Sequence, residues 1–211
     1  VKGVVSEAYK MLMSFDTKPL SNAIESVVDS VESLASQLSK EVPLIDIDDG
    51  DYMIKSEAHG MLNNVFMHLF RNAIDHGIER PEERKAKGKP EKGTIRVDSI
   101  PGDGFLTLKV RDDGRGMALN RIYKLAVEKG IYQADDPRPP SSEIAKLIFA
   151  SGFSTANAVT DVSVRGVGMD AVKTFLEKAG GGIDVVLDPG DDNAEFRSFS
   201  IDIRLPEKYH V

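Results

Sequence analysis

The sequence predicts an α+β fold: a two-layer sandwich in which helices cover a mixed, largely antiparallel sheet. Three observations carry that expectation. Apolar residues at helical period and apolar residues at strand period take turns along the chain. The segment Pro101-Gly102-Asp103-Gly104 separates two strand-like runs as a hairpin turn does, which makes those strands antiparallel neighbours. With 211 residues, 41% of them hydrophobic, the chain can bury one good core, so one domain over 1–211 is expected rather than two.

The first predicted helix covers 20–38. Ile24, Val27, Val28, Val31, Leu34, Ala35 and Leu38 form one apolar stripe, Pro19 stands near its start, and Ser21 or Thr17 is the candidate cap. Alternation over 42–47 predicts a strand, and Gly50-Asp51 turns the chain into a short run at 52–54. The next helix has the strongest pattern. Met61, Leu62, Val65, Phe66, Leu69, Phe70, Ala73 and Ile74 recur as i, i+1, i+4, i+5, and Gly77 is expected to end the helix as a C-terminal glycine does. Residues 79–93, rich in Glu, Lys, Arg, Pro and Gly, read as a solvated loop with room for one helical turn. The hairpin strands follow at 94–100 and 105–110. Helices are predicted over 118–129 and 142–149, with a proline-rich connection at 135–140. Residues 150–167 are small, polar and aperiodic, and are expected to form a mobile loop. A helix over 169–179 closes at Gly180-Gly181-Gly182, and 183–187 with 196–205 supply the last two strands.

Composition excludes several classes of function. The formal net charge is −7 and the pI about 5.2, which argues against nucleic-acid binding, because a phosphate backbone calls for a basic field. Any polyanion bound here needs local cations or a metal. The absence of cysteine removes disulfides and thiolate metal sites. No apolar run approaches the ~18 residues of a membrane span, and nothing at the start resembles a signal peptide. A cytoplasmic chain without direct membrane insertion is expected. Since it begins with Val1, it is expected to be a segment of something longer.

Two glycine-bearing runs about forty residues apart suggest an ATP site: His68-Leu69-Phe70-Arg71-Asn72-Ala73-Ile74-Asp75-His76-Gly77 and Asp112-Asp113-Gly114-Arg115-Gly116. Asn64, His68, Asn72 and His76 fall four apart, so a packed helix presents a line of uncharged polar groups as a pocket wall does. The second run follows a strand directly. Its glycines let the backbone turn sharply and approach a flat ligand, and a carboxylate there can accept from an exocyclic amine. Arg165-Gly166-Val167-Gly168-Met169-Asp170 opens a helix whose free N–H groups suit a phosphate. Each signal has a plainer reading: a polar pair at a core edge, an ordinary tight turn, and a glycine-rich helix cap. Their order along one chain favours the nucleotide.

The residues also carry a resemblance. The runs from His68 to Glu79 and from Asp112 to Met117, together with Ile148-Phe149-Ala150-Ser151-Gly152-Phe153-Ser154-Thr155 and the run from Arg165 to Asp170, resemble the nucleotide-binding boxes of CheA-type chemotaxis histidine kinases. These belong to the GHKL superfamily. The match spans roughly 12–206, and His76-Gly77-Ile78-Glu79 with His68 in place of a glutamate is particular to that branch. The resemblance implies a GHKL-type fold holding ATP and Mg2+, with 150–167 as the ATP lid. It gives Asn72 the metal, His68 a general-base or water-orienting role, and Asp112 the adenine amino group, with Gly114 and Gly116 shaping the pocket. Asp75, His76, Ser154, Thr155, Arg165, Gly166, Val167, Gly168 and Met169 complete the nucleotide contacts, and Arg71 is a further phosphate candidate.

The partners it implies are a histidine-containing phosphoacceptor domain, in cis or in trans, and indirectly a response regulator. Dimerisation would lie in regions outside this chain. Two departures stand out. Val164 precedes Arg165-Gly166 where the family has glycine, and the lid reads Ala156-Asn157-Ala158-Val159 where a lysine is expected. The expected function is donation of the γ-phosphoryl group of Mg-ATP to a histidine. Alternatives are a conformational ATPase of the same superfamily without histidine transfer, and a nucleotide-free adaptor, which Asn72 and Asp112 together disfavour.

Overall fold

The computed structural model of the chain describes residues 16–153, 168–192 and 194–211. Its strands are β1 (Thr17–Pro19), β2 (Leu44–Asp48), β3 (Met53–Lys55), β4 (Thr94–Gly102), β5 (Phe105–Asp112), β6 (Gly182–Leu187) and β7 (Phe199–Pro206). Five of them make the main sheet in the order β2-β4-β5-β7-β6, and β1 pairs with β3 beside it. β2 and β4 run parallel; the other neighbours in the sheet are antiparallel. The architecture is therefore α+β with a mixed sheet, as the sequence predicts.

Strand alternation divides the sheet into a dry and a wet face. Ile95, Val97, Leu106, Leu108, Val110, Ile201, Ile203 and Leu205 are buried under the helices. The opposite face carries a ladder of charges, with Arg96 2.8 Å from Asp46 and 2.6 Å from Asp98, and Arg111 3.3 Å from Asp98. Such exposed pairs add little each, but they keep that face in water. The hairpin between β4 and β5 closes on Asp103-Gly104, where Gly104 takes φ +76°, the left-handed conformation that suits glycine.

A parallel pair cannot be joined by a hairpin. The connection from β2 to β4 carries α3 (Ser56–Asn72), whose apolar side joins the core on the dry face and whose polar line faces away from it. Its predicted stripe, Met61, Leu62, Val65, Phe66, Leu69 and Phe70, is buried, and the Phe66 and Phe70 rings meet edge to face at 5.8 Å. The other helices are α1 (Leu20–Ala23), α2 (Glu25–Gln37), α4 (Pro81–Ala86), α5 (Leu119–Glu128), α6 (Ser141–Lys146) and α7 (Met169–Lys178).

Several expectations are corrected. The helix at 20–38 is two helices broken at Ile24, whose φ of −112° leaves the helical region. The Asn63 side chain donates to the Ala23 carbonyl at 2.8 Å, taking an acceptor that an unbroken helix would use. Pro19 is the N-cap of α1 and neither Ser21 nor Thr17 caps it by a side chain; instead Asp49 accepts from the Ser21 N–H (2.7 Å) and hydroxyl (2.8 Å). β2 begins at Leu44 and β7 at Phe199, later than the alternation suggested. The helix predicted over 142–149 is α6 followed by a 3-10 turn, Leu147–Phe149.

Candidate functional site

α3 delivers two candidate residues one turn apart. His68 is half-buried, and Asn72 is exposed at the last α-helical position. Burial, and then the Arg71 cation, hold the His68 pKa below the ordinary imidazole value. The ring is therefore mainly neutral at pH 7 and able to accept a proton.

Beyond Asn72 the helix widens into a π-helical turn, Ala73–Gly77, closed by the Ile78 N–H on the Ala73 carbonyl at 2.7 Å. Local turns of this kind recur at functional sites. Ala73 and Ile74 remain in the core, while His76 is exposed. His76 lies 3.6 Å from the Asp75 carboxylate, both side chains in solvent.

Gly77 is not a left-handed cap, since its φ is not among the positive ones. Its role is clearance. A Cβ there would stand 2.7 Å from Asp112 Oδ1, and a Cβ on Gly114 would stand 2.2 Å from the Gly77 carbonyl oxygen. Gly116 sits at φ +86°, where a Cβ would also lie 2.5 Å from the Arg197 carbonyl oxygen. The turn at 112–116 therefore packs directly on the exit of the α3 helix, tied by the Arg115 N–H to the Gly77 carbonyl at 2.9 Å. On its far side Met117 and Arg197 exchange backbone bonds of 2.8 and 3.0 Å.

Asp112, the last residue of β5, is half-buried beside Gly77, and its Oδ1 accepts from the Gly114 N–H at 2.9 Å. Burial raises its pKa above the ordinary carboxylate value, aided by the charges of Asp113 and Glu79 and opposed by the Gly114 N–H. A second oxygen remains to accept from a ligand.

The run read as a solvated loop holds the largest surprise. Glu79 and Arg84 are 1% and 0% exposed. Arg84 reaches Asp113 Oδ2 at 2.8 Å, Glu79 Oε2 at 3.3 Å and the Pro90 carbonyl at 2.7 Å. Lys87 and Lys89 reach Glu79 Oε1 at 3.0 and 3.1 Å. Burial opposes ionisation of Glu79, but the hydrogen bonds from Lys87, its own backbone N–H and Lys89 outweigh it and lower its pKa to about 2. Sequence reasoning missed these residues because a charge run ordinarily faces water. The available signal was Pro81 followed by Glu82 and Glu83, which marks the start of a short helix, Pro81–Ala86, where a loop was expected.

α7 packs on α3 and opens at Gly168, an extended N-cap, with Met169 partly buried against the core. Asp170 curls back over Gly168, where a Cβ would meet its Oδ1 at 2.7 Å. Ser154, Thr155, Arg165, Gly166 and Val167, together with Val164 and the remainder of the stretch 154–167 that was expected to form the lid, lie outside the described residues. Among the described residues no group of three or more His, Asp or Glu side chains could hold a metal alone. The neutral amide of Asn72 fits a hard cation as one oxygen ligand beside phosphates and water, which is the ordinary mode of Mg2+.

Residues 59–208 match the family described as histidine kinase-, DNA gyrase B-, and HSP90-like ATPase. The chain is 35% identical over 190 residues to the gliding motility regulatory protein of Myxococcus xanthus, covering 90% of this chain and 24% of that protein. It is 31% identical over 204 residues to the chemotaxis protein CheA of Bacillus subtilis, covering 96% and 29% respectively. It is 33% identical over 186 residues to the sensor histidine kinase CheAY of Helicobacter pylori, covering 88% and 23%. The chain thus spans about a quarter of the length of these relatives. A nucleotide-free catalytic domain of histidine kinase ThkA shares the fold, with a TM-score of 0.51 at 16% identity over 90% of this chain and 94% of that one.

Proposed function

The chain belongs to the family of histidine kinase-, DNA gyrase B-, and HSP90-like ATPases, and from that premise we propose that it binds Mg-ATP and donates the γ-phosphoryl group to a histidine in CheA-like signalling. One arrangement supports the reading above the rest: the exit of α3, one turn past a neutral His68, packs through Gly77 and Gly114 onto Asp112. The acceptor histidine lies on a separate domain or chain, and a response regulator receives the group downstream.

Asp112 accepts from the exocyclic amine of adenine through the oxygen not held by Gly114. Asn72 offers a ligand to Mg2+ without adding charge beside the triphosphate. When bound, the cation neutralises phosphate charge during transfer. His68 orients or deprotonates the attacking group. Phosphoryl transfer asks chiefly for positioning and neutralisation, so these roles suffice for the donor half of the reaction. Residues 1–211 act as one nucleotide-binding unit.

Calorimetry with ATP, with and without EDTA, tests the first step, and γ-labelled ATP with candidate histidine-containing domains tests the second. The expected result is Mg-dependent binding followed by label on a histidine, stable to alkali and labile to acid. Binding without transfer to any acceptor in the full-length protein would leave a conformational ATPase. Absence of binding would overturn the reading.

A further inference from the structure

Asp113 is held from every side. Its Oδ1 accepts the Thr94 N–H at 2.9 Å, and its own N–H donates to the Thr94 carbonyl at 3.1 Å. Its Oδ2 accepts from Arg84 Nη2 at 2.8 Å. Its carbonyl takes Arg84 Nη1 at 3.3 Å and Lys89 Nζ at 2.9 Å, and Lys89 bonds the Gly114 carbonyl as well, at 2.8 Å. A residue with its peptide and side chain so engaged leaves its neighbour little freedom. That neighbour is Asp112.

Arg84 is wholly buried, and burying a guanidinium costs several kcal/mol that pairing recovers incompletely. A well-packed apolar side chain at such a place is commonly neutral or stabilising. Stability alone therefore gives no reason for a guanidinium here. What it supplies is geometry, because its planar fork fixes Asp113, Glu79 and the Pro90 carbonyl in one arrangement.

We propose that Arg84, seated on Glu79 and assisted by Lys89, is a positioning residue for base recognition: it acts through Asp113 to aim the Asp112 carboxylate over Gly77. The inference rests on the ATP reading above and deepens it by naming what sets adenine selectivity.

The test measures affinities of the chain for ATP and GTP in the parent, Arg84→Gln, Lys89→Ala and Asp112→Ala, and in the double variants with Asp112→Ala. Arg84→Gln is expected to lower the ATP to GTP affinity ratio about tenfold, the loss expected when a hydrogen bond to a charged group is misdirected. Lys89→Ala is expected to lower it less; because Lys89 is partly exposed, that variant keeps the test open should Arg84→Gln fail to fold. In the Asp112→Ala background neither change should alter the ratio further. A merely structural role would weaken both nucleotides equally, or act additively with Asp112→Ala, and either result overturns the proposal. A parent with no preference for ATP overturns the functional reading itself; a parent that prefers ATP, with variants that keep the preference, overturns only the role of the clamp.

Discussion

On the proposed reading Asn72 and Asp112 divide the nucleotide between them, one at the phosphates and one at the base. Asn72 is exposed and outside the buried stripe of α3, so Asn72→Ala is expected to abolish the metal-dependent part of ATP binding and leave the melting temperature unchanged. Calorimetry with and without EDTA checks this, and an unaltered affinity would refute the assignment. Asp112→Asn keeps an oxygen for the Gly114 N–H but presents an ambiguous face to adenine, and is expected to weaken ATP by about 1.5–3 kcal/mol. The sign of its pH dependence follows from burial. The folded carboxyl takes a proton more readily than the unfolded one, so Asp112 costs stability at neutral pH, a cost relieved as pH falls through its raised pKa. Asp112→Asn should therefore raise the melting temperature while lowering affinity. ATP affinity in the parent should begin to fall, on acidification, above the pH at which an ordinary aspartate protonates.

At the level of elements, the π turn and α4 hold the turn at 112–116 between them. Gly77→Ala is expected to reduce ATP affinity about tenfold or more, because a Cβ 2.7 Å from Asp112 Oδ1 displaces the carboxylate, with helical circular dichroism retained. Glu79 gives this region an acid limit. Its folded pKa of about 2 lies below the ordinary 4.5, so its contribution is fully present above 4.5 and disappears as pH falls from there toward 2. The shift corresponds to stabilisation on the order of 3 kcal/mol. Denaturant titrations across that window should show a steep acid limb, and Glu79→Gln should flatten it.

The whole molecule depends on the crossover between β2 and β4, which lays the α3 stripe on the dry face of the sheet. Phe66 is fully buried there. Phe66→Ala is expected to cost about 3–5 kcal/mol in denaturant unfolding. It should leave the preference for ATP over GTP unchanged in the folded fraction, because Phe66 faces the core while Asn72 faces out.

The sequence by itself determined the alternation of helices and strands, the α3 stripe, the Asp103-Gly104 hairpin and the order of candidate site residues along the chain. These follow from periodicity and turn chemistry, which act over a few residues and are written in neighbouring side chains. Only the tertiary structure decided the rest. Ile24 breaks its helix because Asn63, forty residues away from Ala23, takes a carbonyl. Gly77 is needed for the clearance of Asp112 rather than for a turn. Glu79 and Arg84 are buried because Asp113 and Lys89 arrive to meet them, although their local sequence is that of a solvated face. A charge, a glycine or an amide takes its role from what stands opposite it in space, and that partner is chosen by the path of the whole chain.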